Sequence, residues 1–242
     1  MNEAETMVVG LTGQTGAGKS TLSRMFAEHG YEVINADAVA REAMETSNLC
    51  LSDLVLEFST EVIHPDATLN REKLAAMCFG DKKKLHRLNE ITFPYIIEAI
   101  THKLNDAVER GVATVVLDAP TLFESGLDKK CNVVVAVIAK EELRLARIIN
   151  RDSMTEEDAM RRIKAQNPDD FYISRADEVI YNDQEMNELR LAFIELCERL
   201  DNKTYHKHGE PKETTEETVE QTTEDITEET TEDTGTFDEL KS

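Results

Sequence analysis

Near its start the chain reads Met7-Val8-Val9-Gly10-Leu11-Thr12-Gly13-Gln14-Thr15-Gly16-Ala17-Gly18-Lys19-Ser20-Thr21. A short apolar run breaks into glycines and closes on Lys-Ser at the head of a helix-like pattern. Gly13, Gly18, Lys19 and Ser20 match G-x-x-x-x-G-K-[ST], the spacing of a phosphate-binding loop. Glycines let backbone N–H groups turn inward around an anion with no Cβ in the way. Lys19 then reaches the outer phosphates, and the Ser20 hydroxyl is placed to hold Mg²⁺. A helix starting near Lys19 adds its positive dipole end to the same spot. A plain Gly/Thr-rich turn is the competing reading, but strand, loop and helix fall in the order a nucleotide site requires. Residues Gly13 to Thr21 are therefore read as nucleotide-binding.

At 242 residues the length suits about one or two domains. An apolar share of 40% supports a real core. The net charge of −22 is uneven: Gly209 to Ser242 carries 13 acidic residues against Lys212 and Lys241, half of the excess. That balance argues against electrostatic capture of nucleic acid, though not against a locally basic pocket for a small phosphorylated molecule. Cys50, Cys78, Cys131 and Cys197 form no C-x-x-C pair and no zinc spacing, and read as reduced thiols of a cytoplasmic protein. No signal peptide pattern and no apolar run of membrane-spanning length stands out.

Along the chain, Lys19 to His29 reads as a helix stopped by Gly30. Tyr31 to Ala36 reads as a second strand ending at Asp37, the position where open α/β sheets bind ligands. Two roles stand for Asp37: a carboxylate beside the phosphate loop, or a cap for a helix beginning at Ala38. Residues 38–110 are mainly helical (Val39–Met44, Leu49–Phe58, Glu72–Phe79, Lys84–Ile91, Pro94–Val108), too long for a simple crossover and suited to an inserted subdomain. Thr114–Asp118 is a third strand, and Asp118 at its tip is either a metal-shell carboxylate of the Walker B kind or an ordinary turn residue. Asn132–Ala139 is a fourth. Arg144, Arg147 and Arg151 then recur at helical steps and share a face able to clamp a triphosphate, with pairing of Arg144 to Glu141 as the bland alternative. With the helix over 154–166 they form a lid pattern, about 140–170. Ala176–Asn182 is the last strand, with Asn182 either contacting a base or ribose or turning the chain. Gln184–Leu200 is the last helix. From 201 to 242 the composition collapses into Thr, Glu and Asp, read as a disordered acidic tail behind a domain of residues 1–200.

These pieces together resemble the dephospho-CoA kinase family, over about Val8 to Leu200. The loop through Lys19-Ser20-Thr21 is similar to its opening signature. Val33-Ile34-Asn35-Ala36-Asp37 with Ala40-Arg41 is similar to its D-A-D-x-x-A-R segment. Leu69-Asn70-Arg71 with Leu74 and Phe79 resembles L-x-R-x-x-L-x-x-x-x-F. Pro120-Thr121-Leu122-Phe123-Glu124 resembles P-L-L-F-E. Gln166, Ala176-Asp177 and Asn182 match a closing Q…AD…N pattern. The resemblance implies a P-loop kinase fold: a three-layer α/β architecture with a parallel sheet, a helical substrate-binding insert and a helical lid. It implies transfer of the γ-phosphoryl of ATP to the ribose 3′-hydroxyl of dephospho-CoA, the last step of coenzyme A synthesis. It further implies Lys19 and Mg²⁺ neutralising charge, Ser20 and Asp118 at the metal, and Asp37 accepting or aligning the hydroxyl. Arg147 and Arg151 would supply lid charge, and Arg71 with Leu122, Phe123 and Glu124 would line the acceptor pocket. Three positions depart: Asn35 replaces an Asp, Phe93 a His, and Thr121 a Leu. A kinase of the same superfamily acting on a nucleoside or nucleotide, and a nucleotide-binding regulator without turnover, are the other readings. Oligomeric state has no signature here.

Overall fold

The computed structural model describes residues 6–205 apart from 79. The expected acidic tail beyond 205 and the Phe79 of the insert signature lie outside the described residues. Among those described, five strands form one parallel sheet: β1 (Met7–Gly13), β2 (Glu32–Asn35), β3 (Thr114–Asp118), β4 (Val133–Ile138) and β5 (Glu178–Tyr181). Their order is β2-β3-β1-β4-β5. Every residue of β1, β3 and β4 is buried, as continuous Val/Leu runs in a doubly covered parallel sheet should be.

Side chains alternate across a strand, and the two faces of β1 meet different helices. Met7, Val9 and Leu11 pack with Leu22 and Phe26 of α1 (Lys19–His29) and with the C-terminal helix Met186–Asp201, through Phe193, Leu196 and Leu200. Val8, with Val115, Leu117, Val134 and Ala136, packs on the opposite face against Ile100 and Leu104 of a long helix, Lys82–Glu109. The result is three layers, helix on sheet on helix.

Between β2 and β3 lie α2 (Ala36–Thr46), α3 (Asn48–Phe58), α4 (Arg71–Cys78) and α5 (Lys82–Glu109). This insert has its own small core of Cys50, Leu54, Phe58, Val62, Leu69 and Leu74. The two helices expected over 84–108 are one, running straight through Pro94. Proline removes one N–H bond from the ladder, but Pro94 lies on the exposed side, where water can take up the freed carbonyl. Thr92, Ile100, Leu104 and Ala107 are the helix's buried residues and anchor it on either side of the proline.

After β4 come α6 (Glu141–Asp152) and α7 (Glu156–Lys164), clasped by Ile148, Ala159 and Ile163. The short α8 (Asp169–Ile173) leads into β5, and α9 (Met186–Asp201) closes the described chain. No helix among the described residues is long and apolar enough to cross a membrane.

Leu122, expected at the acceptor pocket, is a core residue with no exposure. It fills a notch over β1 that exists because position 10 is glycine. A Cβ at Gly10 would sit 2.8 Å from both Leu122 Cδ2 and Cys131 Sγ. Leu122→Ala should therefore lower unfolding free energy by about 2–5 kcal/mol, read by thermal or urea denaturation. Substrate affinity in the folded fraction should stay at the wild-type value.

Candidate active site

β1 ends at Gly13 with φ of 149°, where a Cβ would lie 2.4 Å from the Val137 carbonyl of the neighbouring strand. The loop can leave the sheet this tightly only with glycine. α1 begins on Gly18 at φ 108° with no side chain capping it and no acidic residue in its first turn. Its leading N–H groups and dipole are thus left for an anion. Over them opens a cavity of about 700 Å³ lined by loop residues Gly13 to Thr21 except Ala17, and by Asp37, Pro120, Arg147, Arg151 and Arg162. Ala17 is fully buried in the core under the loop.

Strand register brings Asp37 there. Leu11 and Asn35 both sit opposite Asp118, so β3 and β2 end level while β1 runs on to Gly13. The strand beside β1 is β3, and β2 lies one further out. Asp37 therefore comes from two strands away, with Asp118 at the tip between. β2 stops at Asn35, not Asp37, because the Asn35 side chain accepts from Ala38 N–H at 2.9 Å and starts α2 at Ala36. Asn35 is the cap and Asp37 stands in the helix's first turn, exposed in the cavity. The family-type Asp replaced by Asn35 thus costs this helix no cap, since either side chain accepts that bond.

Asp118, expected near a metal, forms an ion pair with the Lys19 ammonium. The pair is largely shielded, with side-chain exposures of 16% for Lys19 and 4% for Asp118. Ser20 is exposed beside it in the cavity.

The three arginines of α6 do not act as one row. Arg144 is 3% exposed and sits behind the loop: its Nε donates to the Thr15 carbonyl at 3.0 Å, and Nη2 donates to Gln166 Oε1 at 3.1 Å. Burial pushes its guanidinium pKa down, and Asp169 opposes that shift. Arg147 lines the cavity while donating to the Gly16 carbonyl at 3.3 Å and the Asn182 carbonyl at 3.0 Å. Arg151 lines the cavity with a two-pronged pair to Asp152, at 2.7 and 2.8 Å. Arg162 of α7 joins them, sharing Asp152 at 2.9 Å. Sequence reading missed Arg162, because Arg161-Arg162 looks like ordinary helix surface; only the packing of α7 on α6 turns it inward.

Other expected site residues lie elsewhere. Arg71 does not line the cavity; its Nε donates to Glu45 at 3.0 Å and its Nη2 to the Arg41 carbonyl at 2.7 Å, tying α4 to α2. Phe123 packs edge-on against Phe171, with centroids 5.8 Å apart. Glu124 accepts from Asn167 Nδ2 at 2.8 Å, and Asn167 in turn accepts from Gln14 at 2.9 Å. Neither Phe123 nor Glu124 is among the residues that line this cavity. Asn182, left open between ligand contact and turn, is buried and donates to the Ala17 carbonyl at 2.7 Å. Gln166 accepts from Thr15 N–H at 2.9 Å, and Asp177 accepts from Val134 N–H at 2.7 Å.

Residues 7–188 match the dephospho-CoA kinase family. This chain belongs to the dephospho-CoA kinase family. A relative named dephospho-CoA kinase from Corynebacterium glutamicum is 38% identical over 188 residues, covering 78% of this chain and 94% of its own length. A solved structure, TT1252 from Thermus thermophilus, superposes with a TM-score of 0.68 at 28% identity, covering 81% of this chain and 98% of that one. A dephospho-CoA kinase from Campylobacter jejuni gives a TM-score of 0.62 at 24% identity, covering 81% and 98%, and shares the fold. The closing family pattern of Gln166, Asp177 and Asn182 thus falls on residues whose bonds here go to the loop and to β4.

The buried Lys19–Asp118 pair generates a direct expectation. Asp118→Ala strands the ammonium without its carboxylate, and should cost about 3–5 kcal/mol of stability in thermal denaturation. Added ADP should narrow the gap, because its phosphates give Lys19 a replacement anion.

Proposed function

We propose that this chain transfers the γ-phosphoryl group of ATP to the ribose 3′-hydroxyl of dephospho-CoA, giving coenzyme A and ADP. The supporting observation is that one cavity collects the loop, Lys19, Ser20, Asp37, Arg147 and Arg151, within a chain of this family. Phosphoryl transfer asks for positioning and charge neutralisation more than for covalent chemistry. The loop's N–H groups and the α1 dipole hold the β- and γ-phosphates. Lys19 turns from Asp118 toward the transferring group, where Arg147, Arg151 and Arg162 add charge that matters most in a partly dry site. Asp37 accepts the proton of the attacking hydroxyl, or aligns it in line with the γ-phosphorus.

Mg²⁺ fits this residue set. The Ser20 hydroxyl lines the cavity and the Asp118 carboxylate lies behind its Lys19 wall, and both are hard oxygen donors. The described residues hold no cluster of three acidic, His or Cys side chains able to cage a metal. An ion here would take its remaining oxygens from phosphates and water, as Mg²⁺ prefers. Its contribution when bound is to neutralise charge shared between the β- and γ-phosphates. We place the protein in the cytoplasm, a reading supported by four free cysteines.

Incubation with ATP-Mg²⁺ and a panel of acceptors tests the assignment. Dephospho-CoA should yield ADP and coenzyme A; phosphorylation of a nucleoside or nucleotide instead, or ATP binding with no acceptor turned over, overturns it. Asp37→Asn should lower kcat by roughly a hundredfold or more while leaving ATP binding close to wild type, measured by steady-state kinetics and calorimetry. Lys19→Ala should lose about 10²–10³ in kcat, the scale of removing one preorganised charge-stabilising group.

A further inference from the structure

Two peptide units in the loop precede a glycine of positive φ: Thr15–Gly16, with φ 79° at Gly16, and Ala17–Gly18, with φ 108° at Gly18. Glycine moves between left- and right-handed backbone at no steric cost, so either plane can turn over in an unsupported loop. A trans peptide is planar and carries its C=O and N–H on opposite sides. Whatever holds the carbonyl therefore aims the N–H that follows it.

Both carbonyls are held from outside the loop. Thr15 C=O accepts from Arg144 Nε at 3.0 Å, and Ala17 C=O accepts from Asn182 Nδ2 at 2.7 Å. The two donors are buried, at 3% and 8% exposure, and come from α6 and from the end of β5. Both are seated against the glycines themselves. A Cβ at Gly16 would meet the Arg144 carbonyl at 2.8 Å, and one at Gly18 would meet Asn182 Nδ2 at 2.1 Å. Thr15 N–H is already spent on Gln166 and Ala17 N–H on the Gln14 carbonyl. The loop amides that remain for phosphates include those of Gly16 and Gly18, the two whose peptide planes are held.

Resting on the nucleotide-binding part of the function above, we propose that Arg144 and Asn182 are positioning residues that lock these two peptide planes, presenting the Gly16 and Gly18 N–H groups to phosphate before nucleotide arrives. Neither acts on the reacting atoms. If the Thr15–Gly16 plane turned over, a carbonyl oxygen would replace an N–H donor opposite an anion. Arg144 also joins two parts of the machinery, because its Nη2 and the Thr15 N–H share one acceptor, Gln166 Oε1, just beyond α7. The lid and the loop thus meet on a single part-buried polar centre, where each bond depends on the others.

Calorimetric binding of ADP to the full chain tests this without any acceptor, so it stands apart from the identity of the second substrate. Arg144→Ala and Asn182→Ala should each weaken ADP by about tenfold, the scale of losing a buried hydrogen bond that holds a binding conformation. Arg144→Lys should weaken it by about threefold, since an ammonium lacks the planar fork that reaches Thr15 and Gln166 together. In steady-state assays the KM for ATP should rise in step, with the KM for dephospho-CoA within about twofold of wild type. ADP affinity within about twofold of wild type in Arg144→Lys and Asn182→Ala overturns the proposal, as does an equal loss for both substrates. If Arg144→Ala does not fold, the lysine and Asn182 variants decide alone.

Discussion

A backbone can hold an anion only if its carbonyls are turned away and kept there. In this chain that constraint is met at the loop between β1 and α1, and much of the surrounding architecture serves it. Gly13 lets the strand end against Val137 without a collision, and Gly18 opens the helix with its amides uncapped. The outward carbonyls of Thr15, Gly16 and Ala17 each find a donor on another element: Arg144, Arg147 and Asn182. Glycine supplies the conformation and distant side chains hold it, which explains why a nine-residue loop needs residues from 144 to 182 to keep its shape.

The parallel sheet is the second necessity. Its register sets the carboxyl tips of β3 and β2 level beside β1, so Asp118 pairs with Lys19 across about a hundred residues of chain and Asp37 lines the same cavity as Lys19. A slip of two residues in the β1–β3 ladder would carry Asp118 about 6–7 Å along the strand, out of reach of the ammonium. The buried Val and Leu runs that fix this register contribute to the chemistry only through that placement.

What could be read from the sequence was whatever depends on near neighbours along the chain. The loop, Lys19, Ser20, the buried strands and the lid helices all follow from local spacing, and the end of the second strand, together with the family signature, pointed to Asp37. What stayed hidden depends on which surfaces meet. Strand order was hidden because β3 enters the sheet beside β1 only after an insert of more than 70 residues with a core of its own. Leu122 looked like pocket lining because an apolar residue in a signature cannot say which wall it belongs to; the notch at Gly10 decides for the core. Arg144 looked like a clamp for phosphates because helical spacing gives a face but not what covers it, and the loop's outer side covers this one. Arg162 and its partner Asp152 needed the α6–α7 packing before either had meaning.

Electrostatics raises an apparent conflict: a chain of net charge −22 binding two polyanions. Distance resolves it. At physiological ionic strength charges beyond about 8 Å are largely screened, so the cavity feels its own walls and not the molecule's total. Those walls carry Lys19, Arg147, Arg151 and Arg162, each held by internal partners: Asp118, backbone carbonyls and Asp152. Such partners keep the cations ordered and at the site, and they also compete with phosphate for them. Nucleotide binding at this site is therefore an exchange of internal partners, carboxylates and carbonyls, for phosphates. The free energy available for it is the difference between the two sets: Arg147 gives up only neutral carbonyls, whereas Arg151 and Arg162 give up a charged partner but share the one carboxylate of Asp152.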